Sequence, residues 1–351
     1  MVAGVTRAPV DILHIHSTFA LGGKEARAVQ LMNAFGAAAR HTILTASPGE
    51  RAARAGIAPG IDVRFPDRSP PLTGWPTPRR LHAIASAMRG FDLVLTYNWG
   101  AFDAVMARRL FGRAMALPPL IHHEDGFNAD EAEALKPRRS RYRRLGLPAA
   151  RHLVVPSEGL EGIARTIWRQ PEERVVRIPN GIPLGDYGRP PAPIPGVEKR
   201  PGEVLIGALA GLRTVKNLPR LVRAFAAMTS PARLVIVGTG PDSERIAAEA
   251  RRLGVGARVH MPGFLPEPAR WIGTLDVFAL SSDSEQFPIS LLEAMAAGLP
   301  AVATAVGDVP RMVASDNAPL IVAPEDEAAF AAALDTLAAR PDLRRAIGRA
   351  N

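Results

Sequence analysis

Short β-branched runs alternate with longer helical patterns along almost the whole chain, and few folds satisfy that order. It calls for parallel strands joined by crossover helices, with helices on both faces of each sheet. Candidate strands in the first half are Val10–His16, His41–Thr45, Ile61–Phe65, Asp92–Thr96, Leu120–His122, Arg151–Val155 and Val175–Ile178. In the second half they are Glu203–Leu209, Arg233–Val237, Arg258–Met261, Leu275–Leu280, Ala301–Thr304 and Leu320–Val322. Between the sets runs Gly188-Arg189-Pro190-Pro191-Ala192-Pro193-Ile194-Pro195-Gly196, too rich in proline to continue a helix or an inner strand. A chain of 351 residues also suits two cores better than one. The sequence thus predicts two doubly wound, Rossmann-like α/β domains, residues 1–187 and 203–351, with a linker over 188–202 and a cleft between them. Val10–Phe35 and Val204–Met228 each read as strand, glycine-bearing loop and amphipathic helix, the opening unit of such a domain. Open sheets bind ligands beyond the carboxyl ends of their strands, so both opening loops are expected to face the cleft.

The most informative segment is Ser281–Pro300. It reads as a buried strand ending in a polar loop, then a helix opened near Pro288 and closed at Gly298. Glu285 lies in the loop and Glu293 lies eight positions later, inside the helix. Free backbone N–H groups of the stretch Gln286, Phe287, Pro288, Ile289 and Ser290 would form an anion site between the two acids. A ligand with hydroxyls at both ends and a diphosphate in the middle fits, and nucleotide-sugars are such ligands. The plain alternative is an acid beside a helix N-terminus followed by an ordinary amphipathic helix.

This segment resembles the Glu-x7-Glu motif of retaining glycosyltransferases of family 4, whose fold is called GT-B. Leu292-Glu293-Ala294-Met295-Ala296-Ala297-Gly298 and Ala305-Val306-Gly307-Asp308-Val309-Pro310 share the likeness, which extends more weakly over about residues 10–345. The resemblance implies that Glu285 holds donor-sugar hydroxyls and that Glu293 holds the ribose. It also implies that Arg213 and Lys216, between a strand and a helix, neutralise the donor diphosphate. Lys216-Asn217 matches well, whereas Gly211 stands where the family often has its arginine, so Arg213 is a substitute. The same likeness places Gly22 and Gly23 beside the donor phosphate and acceptor, and Phe264 against the nucleotide base. A core phenylalanine or a plain turn are the competing readings. Gly238, in Gly238-Thr239-Gly240-Pro241, imitates the start of a dinucleotide fingerprint but lacks its third glycine, so a tight turn competes there too. Family members carry a histidine near the transferred sugar in the loop that reads His122-His123-Glu124-Asp125-Gly126 here. The register leaves both His123 and Asp125 open for that role. With Glu285 they form the candidate catalytic set. His14 and His16 alternate with apolar residues and are read as decorating their strand.

Other features narrow the class. There is no cysteine, hence neither disulfides nor thiolate metal sites. No Asp-x-Asp stands where it would hold a divalent ion, so no metal and no cofactor is expected and the donor is a substrate. No secretory-signal order or membrane-length apolar run occurs, which predicts a cytoplasmic protein. The basic excess, 43 − 34 = +9, concentrates at Lys136, Arg138, Arg139, Arg141, Arg143, Arg144 and Arg151. An anionic membrane surface and a plain solvated face are both consistent with it; a nucleic-acid partner is not expected, because one aromatic and no recognised motif accompany the patch. The expected partners are a nucleotide-sugar donor and a glycan or lipid-linked acceptor of cell-envelope or exopolysaccharide synthesis. A non-catalytic sugar-nucleotide-binding or scaffold protein on the same fold is the alternative. The resemblance also implies a last helix continuing beyond Asn351, so the C-terminal helix is expected to be truncated.

Overall fold

The computed structural model describes residues 8–20, 22–127, 129–131 and 134–351. The first seven residues, part of the predicted first domain and of the stretch searched for a signal, lie outside the described residues. The chain divides into two compact units. One ends at Pro179 and omits the short 128–133 segment; the other runs from Asn180 to Asn351.

The first unit holds seven parallel strands: β1 (Val10–His16), β2 (Ala39–Thr45), β3 (Val63–Arg64), β4 (Leu93–Tyr97), β5 (Leu120–His123), β6 (His152–Val155) and β7 (Val175–Arg177). Their order is β3-β2-β1-β4-β5-β6-β7. The second unit holds six: β8 (Val204–Leu209), β9 (Ala232–Val237), β10 (Val259–Gly263), β11 (Val277–Leu280), β12 (Ala301–Thr304) and β13 (Ile321–Val322), in the order β10-β9-β8-β11-β12-β13. The order reverses between β1 and β4 in one sheet and between β8 and β11 in the other. Those are the switch points, where loops diverge and leave room for a ligand. The strands read near-continuously apolar because both faces are covered. Leu13, Ile15, Val94 and Leu120 pack on one side of the first sheet, and Ile12, Ile43 and Leu95 on the other. In the second sheet, Ile206, Leu234 and Val302 pack on one side and Leu205, Val235 and Ala303 on the other.

The proline-rich 188–202 stretch contains no strand or α-helix. It packs on the second unit: Ile194 is buried in that core, and the Ala192 N–H donates to the Arg270 carbonyl.

The basic 136–151 stretch does not form one surface. Four short helices matter here: α1 (Gly23–Phe35), α2 (Pro78–Ala87), α3 (Phe102–Phe111) and α4 (Pro137–Gly146). On α4, Arg138, Arg141 and Arg144 are exposed, but Arg143 is turned inward with 1% of its surface exposed. Its guanidinium lies 4.8 Å from the Trp168 ring centroid, 5.0 Å from Trp99 and 5.6 Å from Phe127. It donates to both carboxylate oxygens of Glu124, at 3.0 and 3.2 Å. Arg143 therefore leaves the cationic face that its neighbours share. Burial alone would raise the Glu124 pKa, but Arg143 and His122 outweigh it and hold the carboxyl below its ordinary value.

Removing one partner of a buried pair strands the other charge. Arg143→Ala is expected to lower folding stability by about 3–5 kcal/mol, read as a reduced urea midpoint at pH 7. A depressed carboxyl stabilises the fold above its unfolded pKa, and the contribution disappears as pH falls through the folded value. The gap between wild type and variant should therefore shrink below about pH 4; a gap independent of pH would show that the loss comes from packing alone.

Candidate functional site

Two loops meet at the switch point of the second sheet. One follows β8 and carries Arg213, Lys216 and Asn217; the other follows β11 and carries Ser281 to Pro288. They are stitched together at the backbone. The Asp283 N–H donates to the Val215 carbonyl, and the Ser281 hydroxyl lies 3.0 Å from the Lys216 carbonyl and 3.1 Å from that of Asn217. Asn217 takes a left-handed conformation (φ 40°), which an asparagine tolerates, and its amide donates to the Asp283 carboxylate. Arg220 pairs with the same carboxylate at 2.7 Å.

The result is a fixed place for Glu285. Its Oε1 accepts from Lys216 Nζ at 2.6 Å and from the Ser282 hydroxyl at 2.7 Å. From the other side, Gly307 (φ 54°) abuts the loop so closely that a Cβ there would lie 2.2 Å from the Glu285 carbonyl oxygen. The Asp308 N–H donates to the Gln286 carbonyl, and the Thr304 hydroxyl to that of Ser282. Asn180 Nδ2 donates to the Phe287 carbonyl at 2.7 Å. Four segments thus converge on one loop.

The helix after this loop is Ile289–Ala296, with Pro288 at its cap. Among the described residues no backbone carbonyl accepts from the N–H groups of Phe287, Ile289 or Ser290. Pro288 has no N–H to offer, so the row of donors is interrupted rather than continuous. Lys216, Ser281, Ser282, Glu285 and Ser290 line a recess in front of it. Arg213 is exposed and makes no ion pair with a described residue, leaving its guanidinium available to an anion. Phe264, in the loop after β10, is 44% exposed, which removes the core reading. Gly238 has a packing reason for being glycine: at φ 142°, a Cβ would sit 1.9 Å from the Ala210 carbonyl oxygen.

Glu293 lies on the helix and is largely buried, and its carboxyl makes no hydrogen bond or ion pair with a described residue. Burial pushes its pKa up to about 7. The nearby Tyr187 hydroxyl is also shifted upward, first by burial and then by this carboxyl.

In the first unit, His122 and His123 point to opposite faces. His122 Nδ1 lies 2.8 Å from the Thr96 hydroxyl, on the side of the Glu124–Arg143 pair. His123 stacks on Tyr97 with ring centroids 5.0 Å apart, and its Nδ1 is buried without a hydrogen-bond partner among the described residues. His16 stacks on the same Tyr97 at 4.1 Å, and His14 Nδ1 lies 3.0 Å from its hydroxyl. His14 and His16 are fully buried parts of this ring cluster, not decoration. Burial first, then neighbouring cations, keeps His16 and His123 well below the ordinary histidine range.

Asp125 follows on the same loop, its N–H held by Asn98 Oδ1 at 2.6 Å. Its Oδ1 accepts from Arg27 Nη1 at 3.0 Å, while Oδ2 has no partner among the described residues. Burial raises its pKa to about 6, against the opposing pull of Arg27. Arg27 comes from α1, so the helix opened by Gly22 and Gly23 is tied to the β5 loop. A Cβ on Gly22 would meet only the flexible Glu25 carboxylate, at 2.7 Å, and one on Gly23 would meet nothing within 4 Å. Neither glycine is demanded by packing with backbone.

Sequence reasoning missed Ser282, Gly307, Arg27 and the Tyr97 ring cluster. Ser282 and Gly307 lay inside segments already singled out, but neither was named for a role. The others are ordinary residues whose importance exists only in three dimensions.

Two family profiles match the chain: "Glycosyl transferases group 1" over residues 194–351 and "Glycosyltransferase Family 4" over residues 21–186. An N-acetyl-alpha-D-glucosaminyl L-malate synthase of Bacillus anthracis is 33% identical over 113 residues, 32% of this chain and 30% of that protein. A D-inositol 3-phosphate glycosyltransferase of Streptomyces coelicolor is 28% identical over 353 aligned residues, covering 84% of this chain and 74% of that one. The chain matches less than half the length of the first two curated relatives, 30% and 42%. The crystal structure of Anabaena HepE in complex with UDP-glucose superposes with a TM-score of 0.76 at 16% identity, covering 97% of this chain and 93% of that one. That likeness establishes the GT-B fold.

Glu293 supplies a test of the site's electrostatics. An acid with a raised folded pKa favours the native state below its unfolded value, and that contribution is lost as pH rises through the folded value. Glu293→Gln should therefore stabilise the protein at pH 8, by at most about 3 kcal/mol, and change little at pH 4. Equal thermal midpoints for both proteins at pH 8 would contradict a buried, unpaired carboxylate.

Proposed function

The chain belongs to glycosyltransferase family 4, and we infer that it moves a sugar from a nucleoside-diphosphate sugar to a glycan or lipid-linked acceptor, retaining anomeric configuration. The observation that carries this reading is the Lys216–Glu285–Ser282 constellation beside the open amides of Phe287, Ile289 and Ser290. A diphosphate is matched by Lys216, Arg213 and those amides. Fixed donors of this kind stabilise charge that develops on a leaving group without having to reorganise. Glu285, already held by two donors, has lone pairs left for sugar hydroxyls, so its part is to position the donor sugar. Glu293 is suited to a ribose, whose hydroxyls would replace the hydrogen bonds it lacks. Phe264 offers an exposed ring to the base.

The first unit is assigned the acceptor side, with the Gly22-Gly23 loop and the β5 loop contributing to it. Burial holds His123 well below the ordinary histidine range, and it raises Asp125 to about 6 while one of its oxygens is left unengaged among the described residues. Either can accept a hydrogen bond from a hydroxyl, and their adjacency supports a shared role. HepE, to which the fold is similar, was crystallised with UDP-glucose, which makes uridine donors the first to try.

The membrane-side reading rests on α4, whose exposed Arg138, Arg141 and Arg144 stand beside an exposed Leu145. No described helix is long and apolar enough to cross a membrane. A cationic face with an apolar residue suits an anionic surface.

A thermal-shift panel of UDP-, GDP- and ADP-sugars should identify one donor that raises the melting temperature. With that donor, Glu285→Ala is expected to lose one charge-assisted bond, roughly a 10- to 150-fold drop in kcat/KM. Unchanged turnover would remove Glu285 from the site. Donor binding without nucleotide release, across acceptor extracts, would favour a non-catalytic binder on the same fold. Flotation with phosphatidylglycerol vesicles should recover wild type and lose the Arg138→Gln/Arg141→Gln/Arg144→Gln variant; equal recovery of both would end the membrane reading.

A further inference from the structure

The amino edge of the first sheet carries a cationic pocket that the transfer reaction does not use. Strands β5, β6 and β7 are parallel neighbours, and Pro119, Arg151 and Arg174 immediately precede them. Together with Arg108 of α3 and His152, these residues line an open pocket of ≈ 520 Å³, inside the range of about 300–1,000 Å³ usual for small-ligand sites. The candidate acceptor residues His123 and Asp125 lie at the opposite, carboxyl edge of the same strands. Four-residue strands separate the two edges by roughly 13 Å.

The cations of this pocket outnumber the one acid, Glu173, that lines it. Among the described residues, Arg108, Arg151 and Arg174 form no ion pair. Arg108 Nη1 donates to the Leu117 carbonyl at 3.2 Å, and Arg174 Nη1 to that of Pro148 at 2.6 Å. Among the described residues, Arg151 makes no side-chain hydrogen bond, and two further polar atoms, Nε of Arg108 and Nδ1 of His152, are buried without a partner. Glu173 also lines the pocket, is exposed, and pairs with none of the three among the described residues. Burial lowers the pKa of Arg108, so keeping its charge there is unfavourable without a counter-ion. Contrast the interior arginine Arg143, which the fold provides with Glu124 and three aromatic rings.

Three guanidiniums around one pocket repel each other, and an anion converts that repulsion into attraction. The planar fork of each matches a phosphate or carboxylate edge. Three positive charges call for more than one negative charge, which selects phosphate or diphosphate over a single carboxylate. Ala149, Ala150, Leu117 and Pro119 give the pocket apolar walls that suit the organic portion of a phosphate ester.

We propose that the pocket framed by Arg108, Arg151 and Arg174 binds a phosphate-bearing anion, as a site separate from the Lys216 loop. The proposal rests on the first unit alone and stands or falls independently of the transfer reaction. The phosphate can belong to a soluble small molecule or to a lipid headgroup, and the two sources are separable.

The test uses the whole chain and four forms of it: wild type, Arg151→Gln, Arg151→Gln/Arg174→Gln and Lys216→Gln. In the first arm, inorganic diphosphate is titrated by calorimetry. The expected result is a binding event that persists in Lys216→Gln and weakens about tenfold or more in Arg151→Gln. Arg151→Gln disturbs no internal hydrogen bond, so a folding defect is not the explanation for that loss. In the second arm, phosphatidylglycerol and phosphatidylcholine vesicles are floated with proteins already carrying Arg138→Gln/Arg141→Gln/Arg144→Gln. Arg151-dependent recovery on the anionic vesicles alone supports the site and assigns the phosphate to lipid. Diphosphate binding that vanishes in Lys216→Gln and is unchanged in Arg151→Gln, with no Arg151-dependent recovery on vesicles, overturns the proposal.

Discussion

The second unit's site depends on one ion pair placed at a switch point. Lys216 sits at the start of a helix, where a cation opposes the macrodipole, and Glu285 sits ahead of another helix on the adjacent loop. Glu285, an anion well placed at a helix start, pairs with Lys216 at 2.6 Å and offsets that cation's unfavourable position. The pair also fixes the spacing between the β8 and β11 loops, which the Ser281 and Asp283 contacts reinforce. Because the side chains are only partly buried, their mutual attraction is modest and a ligand can compete for it. A constellation that is rigid in backbone and exchangeable in side-chain partners is what a reversible anion-binding site requires.

The first unit solves a different problem. It buries His14, His16, His41 and His123 around Tyr97, with one carboxylate, Asp125, and one guanidinium, Arg27, nearby. Burial keeps the imidazoles neutral, so the cluster adds polar atoms without adding charge. Several of those atoms, in His16, His123 and Asp125, have no partner among the described residues. Native interiors rarely leave such groups unsatisfied without a functional reason. The orphaned atoms cluster at the carboxyl edge of β1 and β5, where the loops from Ser17 and Glu124 begin. That coincidence of chemistry and topology is the strongest internal argument for a polyhydroxylic ligand there.

All thirteen strands were legible because each is a compact apolar run bounded by turns, and a doubly covered parallel sheet accepts little else. Glu285, Lys216 and the helix after Pro288 stood out through the motif they resemble, although the Lys216–Glu285 contact joins residues 69 positions apart. That motif gave no role to Ser282 or Gly307. A serine beside a polar loop is unremarkable, and the need for glycine at 307 arises from a carbonyl twenty-two positions away. Phe264 and Gly238 show the converse limit. Local pattern left each with two readings, and packing adds what pattern could not: the ring is open to solvent, and a Cβ at 238 would meet the Ala210 carbonyl.

The arginine-rich stretch shows why charge counted along a chain is a poor map of charge on a surface. Helical periodicity distributes consecutive side chains around the axis, so a run of arginines on α4 cannot share one face. Arg138, Arg141 and Arg144 stay outward because nothing packs over them, whereas Arg143 meets Trp99, Phe127 and Trp168 and must bring a carboxylate with it. Glu124 supplies that charge from the β5 loop, immediately before Asp125. Its neighbour is thereby left to share a low-dielectric region with a fixed negative charge, one of the causes that raise Asp125 toward neutrality. The inward arginine thus does more than hold α4 to the sheet. By keeping Glu124 ionised, it helps set the protonation of the candidate residue beside it, and so links a packing decision in a helix to the acid–base character of the loop.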